Sequence, residues 1–104
     1  MSYNDYRDKL YETDGFYVPD YMMDGVIRYI EDGVEPGGFL SAVLVNDLTG
    51  AVAHADDVNM RNLPAYVRFF YNHCPSACWG NRDKVTAWIV NGGLNGIQKM
   101  ESES

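Results

Sequence analysis

Four side chains in one C-terminal segment have the chemistry needed to hold a planar anionic ligand. Residues 74–96 place an aromatic ring in a tight turn and polar groups at the start of a predicted helix: Trp79, Asn81, Arg82 and Lys84. Cations in a first helical turn oppose the helix dipole, so an anion bound there would neutralise them. An indole can stack on a nucleobase, and a carboxamide can hydrogen-bond its edge. Two interpretations of Trp79 are open, a stacking surface for a ligand and a core anchor for the loop.

A second candidate site lies where another predicted helix begins, at Gly37, Gly38 and Phe39. Each glycine would cost about 1 kcal/mol relative to alanine inside a helix, so something favours its presence. One explanation is close approach by an anionic ligand, since N–H groups at a helix N-terminus bind phosphate. The other is a tight connection that needs positive φ. The carboxylates of Glu31, Asp32 and Glu35 just before it disfavour an anion and favour the connection.

Two other polar groups have both a structural and a ligand-binding interpretation. Arg28 is the single base between residues 10 and 60, and it can pair with Asp24 or Asp32 at a spacing of four, or bind a ligand. Residues 56–59, of sequence DDVN, look first like helix caps, although polar residues at helix ends can also hydrogen-bond a base edge.

No pattern in the sequence indicates catalysis or a metal centre. Cys74 and Cys78 with His73 supply three soft ligands where zinc needs four, and the other histidine, His54, lies between alanines. There is no nucleophile elbow and no HExxH motif. We therefore predict a protein that is not an enzyme, with no catalytic residues, no metal and no cofactor.

Composition and charge narrow the class of partner. The 104 residues carry a net charge of -7, and ten of the fifteen acidic residues lie in residues 1–47. An acidic surface cannot release counterions from a nucleic acid polymer, so we predict no such partner. Binding of a small anion near the arginines is compatible with this charge. No apolar run is long enough to cross a membrane, and the polar N-terminus does not resemble a secretory signal. We predict no membrane association and a cytoplasmic location.

The predicted architecture is all-α, a compact single domain of about four to five short helices with a less regular tyrosine-rich N-terminal arm. Apolar periodicity and capping residues place these helices near residues 20–33, 36–47, 49–55, 60–73 and 82–91. The first has an apolar stripe that ends at Ile30 and a predicted C-cap at Gly33. The last has a predicted N-cap at Asn81 and a core position at Trp88, and the glycines at 92 and 93 are expected to stop it. The fourth helix is expected to start as late as residue 62 or 63, because Pro64 is tolerated only in a first turn. We divide the chain into an arm at 1–18, a helical domain at 19–96 and a mobile tail at 97–104.

Several motifs together resemble a widespread family of small tailed-phage proteins. They span about three quarters of the chain and read GVIRYIEDG (25–33), PGGFLSAVLVNDL (36–48), ADDVN (55–59), FYN (70–72), PSACWG (75–80), KVTAWI (84–89) and GGLNG (92–96). This family is similar to the viral proteins that bind cyclic dinucleotide immune signals, such as 3'3'-cyclic GMP-AMP, and so silence cyclic-oligonucleotide-based anti-phage signalling (CBASS). The resemblance implies sequestration without turnover, in the cytoplasm of the infected bacterial host. It assigns no individual ligand contact.

The leading hypothesis is therefore a phage counter-defence protein that binds and sequesters a cyclic dinucleotide without cleaving it. We expect a homo-oligomer, with a dimer favoured, in which the arm crosses to a partner subunit. The ligand-binding candidates are Trp79, Asn81, Arg82, Lys84, Arg28, Gly37, Gly38 and Phe39. The alternative is an acidic inhibitor that mimics nucleic acid and binds a host defence nuclease or CRISPR complex.

Overall fold

The computed structural model describes residues 11–103, which contain a two-stranded hairpin, seven α-helices and a 3-10 turn. The strands are β1 (Tyr11–Thr13) and β2 (Phe16–Val18). The helices are α1 (Asp20–Asp32), α2 (Gly38–Leu44), α3 (Leu48–His54), α4 (Asp57–Arg61), α5 (Leu63–His73), α6 (Arg82–Val90) and α7 (Gly93–Glu103), with the 3-10 turn at Ser76–Cys78. The mostly helical, compact class is confirmed, but the helices outnumber the four to five predicted and a strand hairpin precedes them.

The hairpin packs on its own chain. Asp14 and Gly15 both have positive φ, 49° and 84°, as a two-residue hairpin turn requires. The Tyr11 ring meets the Phe69 ring of α5 edge-on, with centroids 5.1 Å apart. This part of the predicted arm therefore lies against α5 instead of extending away from the domain. The rest of the arm, residues 1–10, lies outside the described residues.

Helix α1 supplies the centre of the core. Val26, Ile27 and Ile30 are fully buried, as the apolar stripe predicted. The helix ends at Gly33, whose φ of 67° is left-handed and whose N–H donates to the Tyr29 carbonyl oxygen at 2.9 Å. The predicted glycine cap is thus confirmed, and it fixes the direction in which the chain leaves toward α2.

Helix α5 begins at Leu63, within the range expected for the fourth predicted helix, and a short helix that was not predicted, α4, precedes it. Pro64 lies in the first turn of α5, where its missing N–H costs nothing. Asn62 separates the two helices, because its side-chain nitrogen donates to the Val58 carbonyl oxygen and its side-chain oxygen accepts from the Tyr17 N–H, both at 2.9 Å. The buried carboxamide therefore joins the end of α4 to the hairpin.

The start of α7 lies in direct backbone contact with the end of α1. A Cβ atom built on Gly93 would lie 2.5 Å from the Gly33 nitrogen and 2.7 Å from the Glu31 carbonyl oxygen. Gly93 also has a φ of 67°. Two elements distant in sequence can approach this closely only because neither position carries a side chain.

Helix α7 covers residues for which a mobile tail was predicted. Leu94 and Ile97 on this helix pack against the core. The glycine pair at residues 92 and 93, interpreted from sequence as a helix stop, does end α6 but also begins the next helix. Packing against α1 offsets the poor helix propensity of the glycines.

Buried hydrogen bonds tie α6 and the 3-10 turn to α1. Trp88 is 3% exposed, as predicted for a core residue, and its Nε1 donates to the Tyr29 carbonyl oxygen at 3.0 Å. The Tyr29 hydroxyl donates to the Cys78 carbonyl oxygen at 2.6 Å. Burial raises the pKa of the Cys78 thiol to about 12 and also raises the pKa of Cys74. Both cysteines are free, and their thiols stay protonated at neutral pH.

Candidate ligand-binding site

A pocket of about 440 Å³ opens between α1, the start of α2, the end of α3 and α4. We call it the main pocket. Its walls combine backbone at glycines with aromatic, charged and amide side chains: Tyr21, Met22, Gly25, Arg28, Glu35, Pro36, Gly37, Gly38, Phe39, Leu40, His54, Asp56 and Asn59. Four of the residues predicted from sequence to bind a ligand, Arg28, Gly37, Gly38 and Phe39, are therefore brought together here.

One face of α1 forms the first wall. Tyr21, Gly25 and Arg28 are spaced by four and three residues, which places them in one stripe along the helix. Gly25 has no positive φ, and a Cβ atom built on it would meet no atom within 4 Å. A glycine in a helix interior costs about 0.5–1 kcal/mol relative to alanine, and packing does not require this one. Because Gly25 has no side chain, the backbone of the helix is exposed at the wall of the pocket.

The two glycines at the start of α2 have different roles. Gly37 has an ordinary φ of -69°, and a Cβ atom on it would meet nothing within 4 Å. A Cβ atom on Gly38 would lie 3.0 Å from Cδ2 of His54. Neither glycine has positive φ, so a connection that demands left-handed backbone does not explain them. Gly38 admits the His54 ring, and Gly37 leaves space at the pocket surface.

A carboxylate is held in place on the opposite wall. Asp56 caps α4 by accepting from the Asn59 N–H at 2.7 Å, and its other oxygen accepts from the Tyr21 hydroxyl at 2.7 Å. The hydrogen bond from the Asn59 N–H, followed by the one from the Tyr21 hydroxyl, lowers the pKa of Asp56. The hydrogen bond to Asp56 in turn raises the pKa of Tyr21 to about 12. At neutral pH the pocket therefore holds an ionised carboxylate in a fixed orientation.

Asn59 presents a nearly buried carboxamide to the main pocket. The residue is 4% exposed, and its Oδ1 accepts from the Tyr66 hydroxyl at 2.5 Å. Its Nδ2 has no hydrogen-bond partner among the described residues. In that part of the chain, every side-chain nitrogen or oxygen that is fully buried does have a partner. The Nδ2 group must therefore reach solvent, and the pocket is the surface that Asn59 lines. It is a donor available to a ligand.

Arg28 is the cation of the main pocket. Its Nε lies 3.7 Å from Oδ2 of Asp24, and both side chains are more than half exposed. An exposed pair at this spacing contributes only about 0.3–0.5 kcal/mol. An anionic ligand could therefore replace Asp24 as the partner of the guanidinium at little cost in free energy.

A second pocket of about 220 Å³ adjoins the main one. The two share Glu35, Gly38 and His54, and the second contains Arg82. His54 Nδ1 lies 2.9 Å from the Gly50 carbonyl oxygen, which can only accept, so Nδ1 carries the proton and Nε2 is left for another contact. The side chain of Arg82 has no hydrogen bond or ion pair with any other described residue.

Three other predicted residues line neither of these two pockets. Trp79 is half-buried and packs against Phe70, with ring centroids 6.0 Å apart. Asn81 caps α6, as predicted, by accepting from the Lys84 N–H at 2.9 Å. The Lys84 side chain is exposed near Gly80. The group of four predicted from residues 79–84 is thus divided, with Arg82 in the second pocket and the others outside.

Residue chemistry alone did not identify Tyr21, Gly25 and His54 as pocket residues. The available signal was the spacing of Tyr21, Gly25 and Arg28 on one helical face, with a glycine where a helix former would be expected. His54 had no such signal, because its position over Gly38 depends on how α3 packs on α2.

Comparisons of the chain with protein families, with curated protein sequences and with solved structures found no match. The similarity of its motifs to the phage family therefore stays a prediction. Within residues 11–103, no helix is both long and apolar enough to span a bilayer. The described residues also contain no group of three or more histidine, cysteine or acidic side chains arranged to hold a metal ion.

Proposed function

We propose that this protein binds and sequesters a cyclic dinucleotide without cleaving it, acting as a phage counter-defence protein in the cytoplasm of the infected bacterium. The observation that carries the proposal is the pair of adjoining pockets, each with one arginine, Arg28 in one and Arg82 in the other. A cyclic dinucleotide has two bases and two phosphates at corresponding positions. The motif resemblance supplies the biological setting.

The electrostatics of the two pockets suit a small diphosphate better than a long polyanion. Glu35 lines both pockets, and Asp56 and Asp47 line one each, so positive potential is confined to the two guanidinium groups. Two local cations are sufficient for two phosphates, whereas a duplex needs an extended cationic surface. Binding should therefore weaken as salt is raised. A dimer of this chain remains part of the proposal.

The test is a thermal-shift and calorimetry panel of cyclic dinucleotides, with linear dinucleotides as controls. A ligand at 100 times its dissociation constant adds about 2.7 kcal/mol of stability, which is several degrees in a domain of this size. Ligand recovered after denaturing the complex should be chemically intact. No shift with any cyclic dinucleotide, or recovery of a hydrolysed product, would overturn the proposal.

The same panel tests the alternative of an acidic inhibitor. Asp20, Asp24, Asp32 and Glu35 are exposed on α1 and the segment that follows it, which would suit a cationic groove on a host nuclease. That function predicts no shift with nucleotides. It also predicts that charge reversal at Asp20 and Asp32 abolishes inhibition of the nuclease, although neither residue lines the two pockets.

Substitution of Trp79 separates the two sites that the sequence suggested. We expect Trp79→Ala to lower the free energy of unfolding by about 1–2 kcal/mol, since a half-buried ring is lost, and to change ligand affinity less than about twofold. We expect Arg28→Ala to leave stability within about 0.5 kcal/mol and weaken affinity about tenfold. Chemical denaturation and calorimetry measure both quantities. Loss of binding in a folded Trp79→Ala protein would place the ligand at residues 79–84 instead.

A further inference from the structure

The main pocket combines two side chains that present acceptors with one that presents a donor. Asp56 is held by the Asn59 N–H and by the Tyr21 hydroxyl, and its side chain presents only acceptors. Glu35 is a second carboxylate of the same pocket, with no hydrogen bond or ion pair to another described residue. The Nδ2 group of Asn59 is a donor that likewise has no hydrogen-bond partner among the described residues. A ligand must therefore offer donors to the carboxylates and an acceptor to Asn59.

This pattern matches guanine better than adenine. The Watson–Crick edge of guanine has two adjacent donors, N1–H and the 2-amino group, beside the O6 acceptor, and N7 is another acceptor. Adenine offers one amino group beside an N1 lone pair, which a carboxylate would repel. Adenine is usually bound by both atoms of a carboxamide, and at Asn59 one of the two lone pairs of Oδ1 already accepts from Tyr66, so this residue is less free to hold adenine in that way. The pocket therefore discriminates partly by repulsion of the wrong base.

The pocket also has space for a flat ring beside these groups. Gly25 and Gly37 both line it, and a Cβ atom on either would meet nothing within 4 Å. The open helix backbone at Gly25 gives a ring a surface to lie on, and Arg28, one turn further along the same face, can reach a phosphate attached to it.

We propose that the main pocket recognises guanine, with Asp56 and Glu35 accepting from its N1–H and 2-amino groups and Asn59 donating to O6 or N7. The proposal rests on the proposed function, because it names the base that the sequestered nucleotide places in this pocket.

The experiment compares dissociation constants for cyclic di-GMP, cyclic di-AMP and cyclic di-IMP, whose hypoxanthine bases lack the 2-amino group. We expect cyclic di-GMP to bind at least about tenfold more tightly than cyclic di-AMP, with cyclic di-IMP between them. Asp56→Asn should reduce the preference for guanine to within about threefold while keeping the fold, since asparagine caps a helix as well as aspartate does. Asp57→Asn is the matched control, and it should leave the preference unchanged.

A parallel NMR titration with GMP and AMP makes the two failures distinguishable. Guanine recognition predicts that GMP shifts the side-chain amide signals of Asn59 more than AMP does. If cyclic dinucleotides do not bind but GMP gives this shift, sequestration is wrong and guanine recognition stands. Equal affinity for guanine and adenine ligands, or an Asn59 signal that responds to neither mononucleotide, would overturn guanine recognition.

Discussion

Replacing Gly93 by alanine is expected to lower the free energy of unfolding by about 3 kcal/mol or more. Gly93 has a φ of 67°, where a side chain costs about 1–2 kcal/mol. The added Cβ would also meet the backbone of Gly33 and Glu31 at 2.5–2.7 Å, and overpacking of this kind costs about 1–3 kcal/mol. Backbone cannot rotate away as a side-chain end can, so α7 must separate from α1. Urea denaturation followed by circular dichroism measures the loss.

Gly25→Ala is the matched control for this prediction. It makes the same chemical change in a helix with ordinary backbone and open space, so it should raise the free energy of unfolding by about 0.5–1 kcal/mol. Opposite signs for the two substitutions are the expected result. Equal effects would mean that the contact between α1 and α7 does not stabilise the fold.

Replacing Gly25 by leucine is expected to weaken binding of the cyclic dinucleotide by about 100-fold, equivalent to about 2.7 kcal/mol. The side chain would enter the main pocket and fill the space that a base needs, while leucine is a much better helix former than glycine. Stability should therefore be equal or higher although binding is lost. Calorimetry with cyclic di-GMP and thermal denaturation of the same protein measure the two effects.

Ala87→Leu provides the control for that substitution. Ala87 is exposed on α6 and lines neither pocket, so a leucine there should change affinity less than about twofold. If Gly25→Leu binds the ligand as the unmodified protein does, the main pocket is not the binding site. If Gly25→Leu does not fold, Gly25→Ala tests the same steric effect with a smaller side chain. We expect it to bind the ligand about tenfold more weakly.

Most helices could be predicted because their signals are local. The stripe that ends at Ile30, the cap at Gly33, the cap at Asn81 and the first-turn Pro64 all appear where the sequence indicated them. Such features depend on residues within one or two helical turns. The hairpin, α4 and α7 were missed because their stability depends on partners elsewhere, such as the Tyr17 N–H for Asn62 and the backbone of Gly33 for Gly93.

The sequence by itself determined that this chain is mostly helical, acidic, and equipped with a few cations and glycines at helix ends. Only the tertiary structure decided which of these lie together. Arg28 and Asn59 are far apart along the chain and line the main pocket, whereas Trp79 and Arg82 are close in sequence and Arg82 alone lines one of the two pockets described above. The physical reason is that periodicity and capping encode the direction of each helix locally, whereas a pocket forms from faces that meet only when the helices pack.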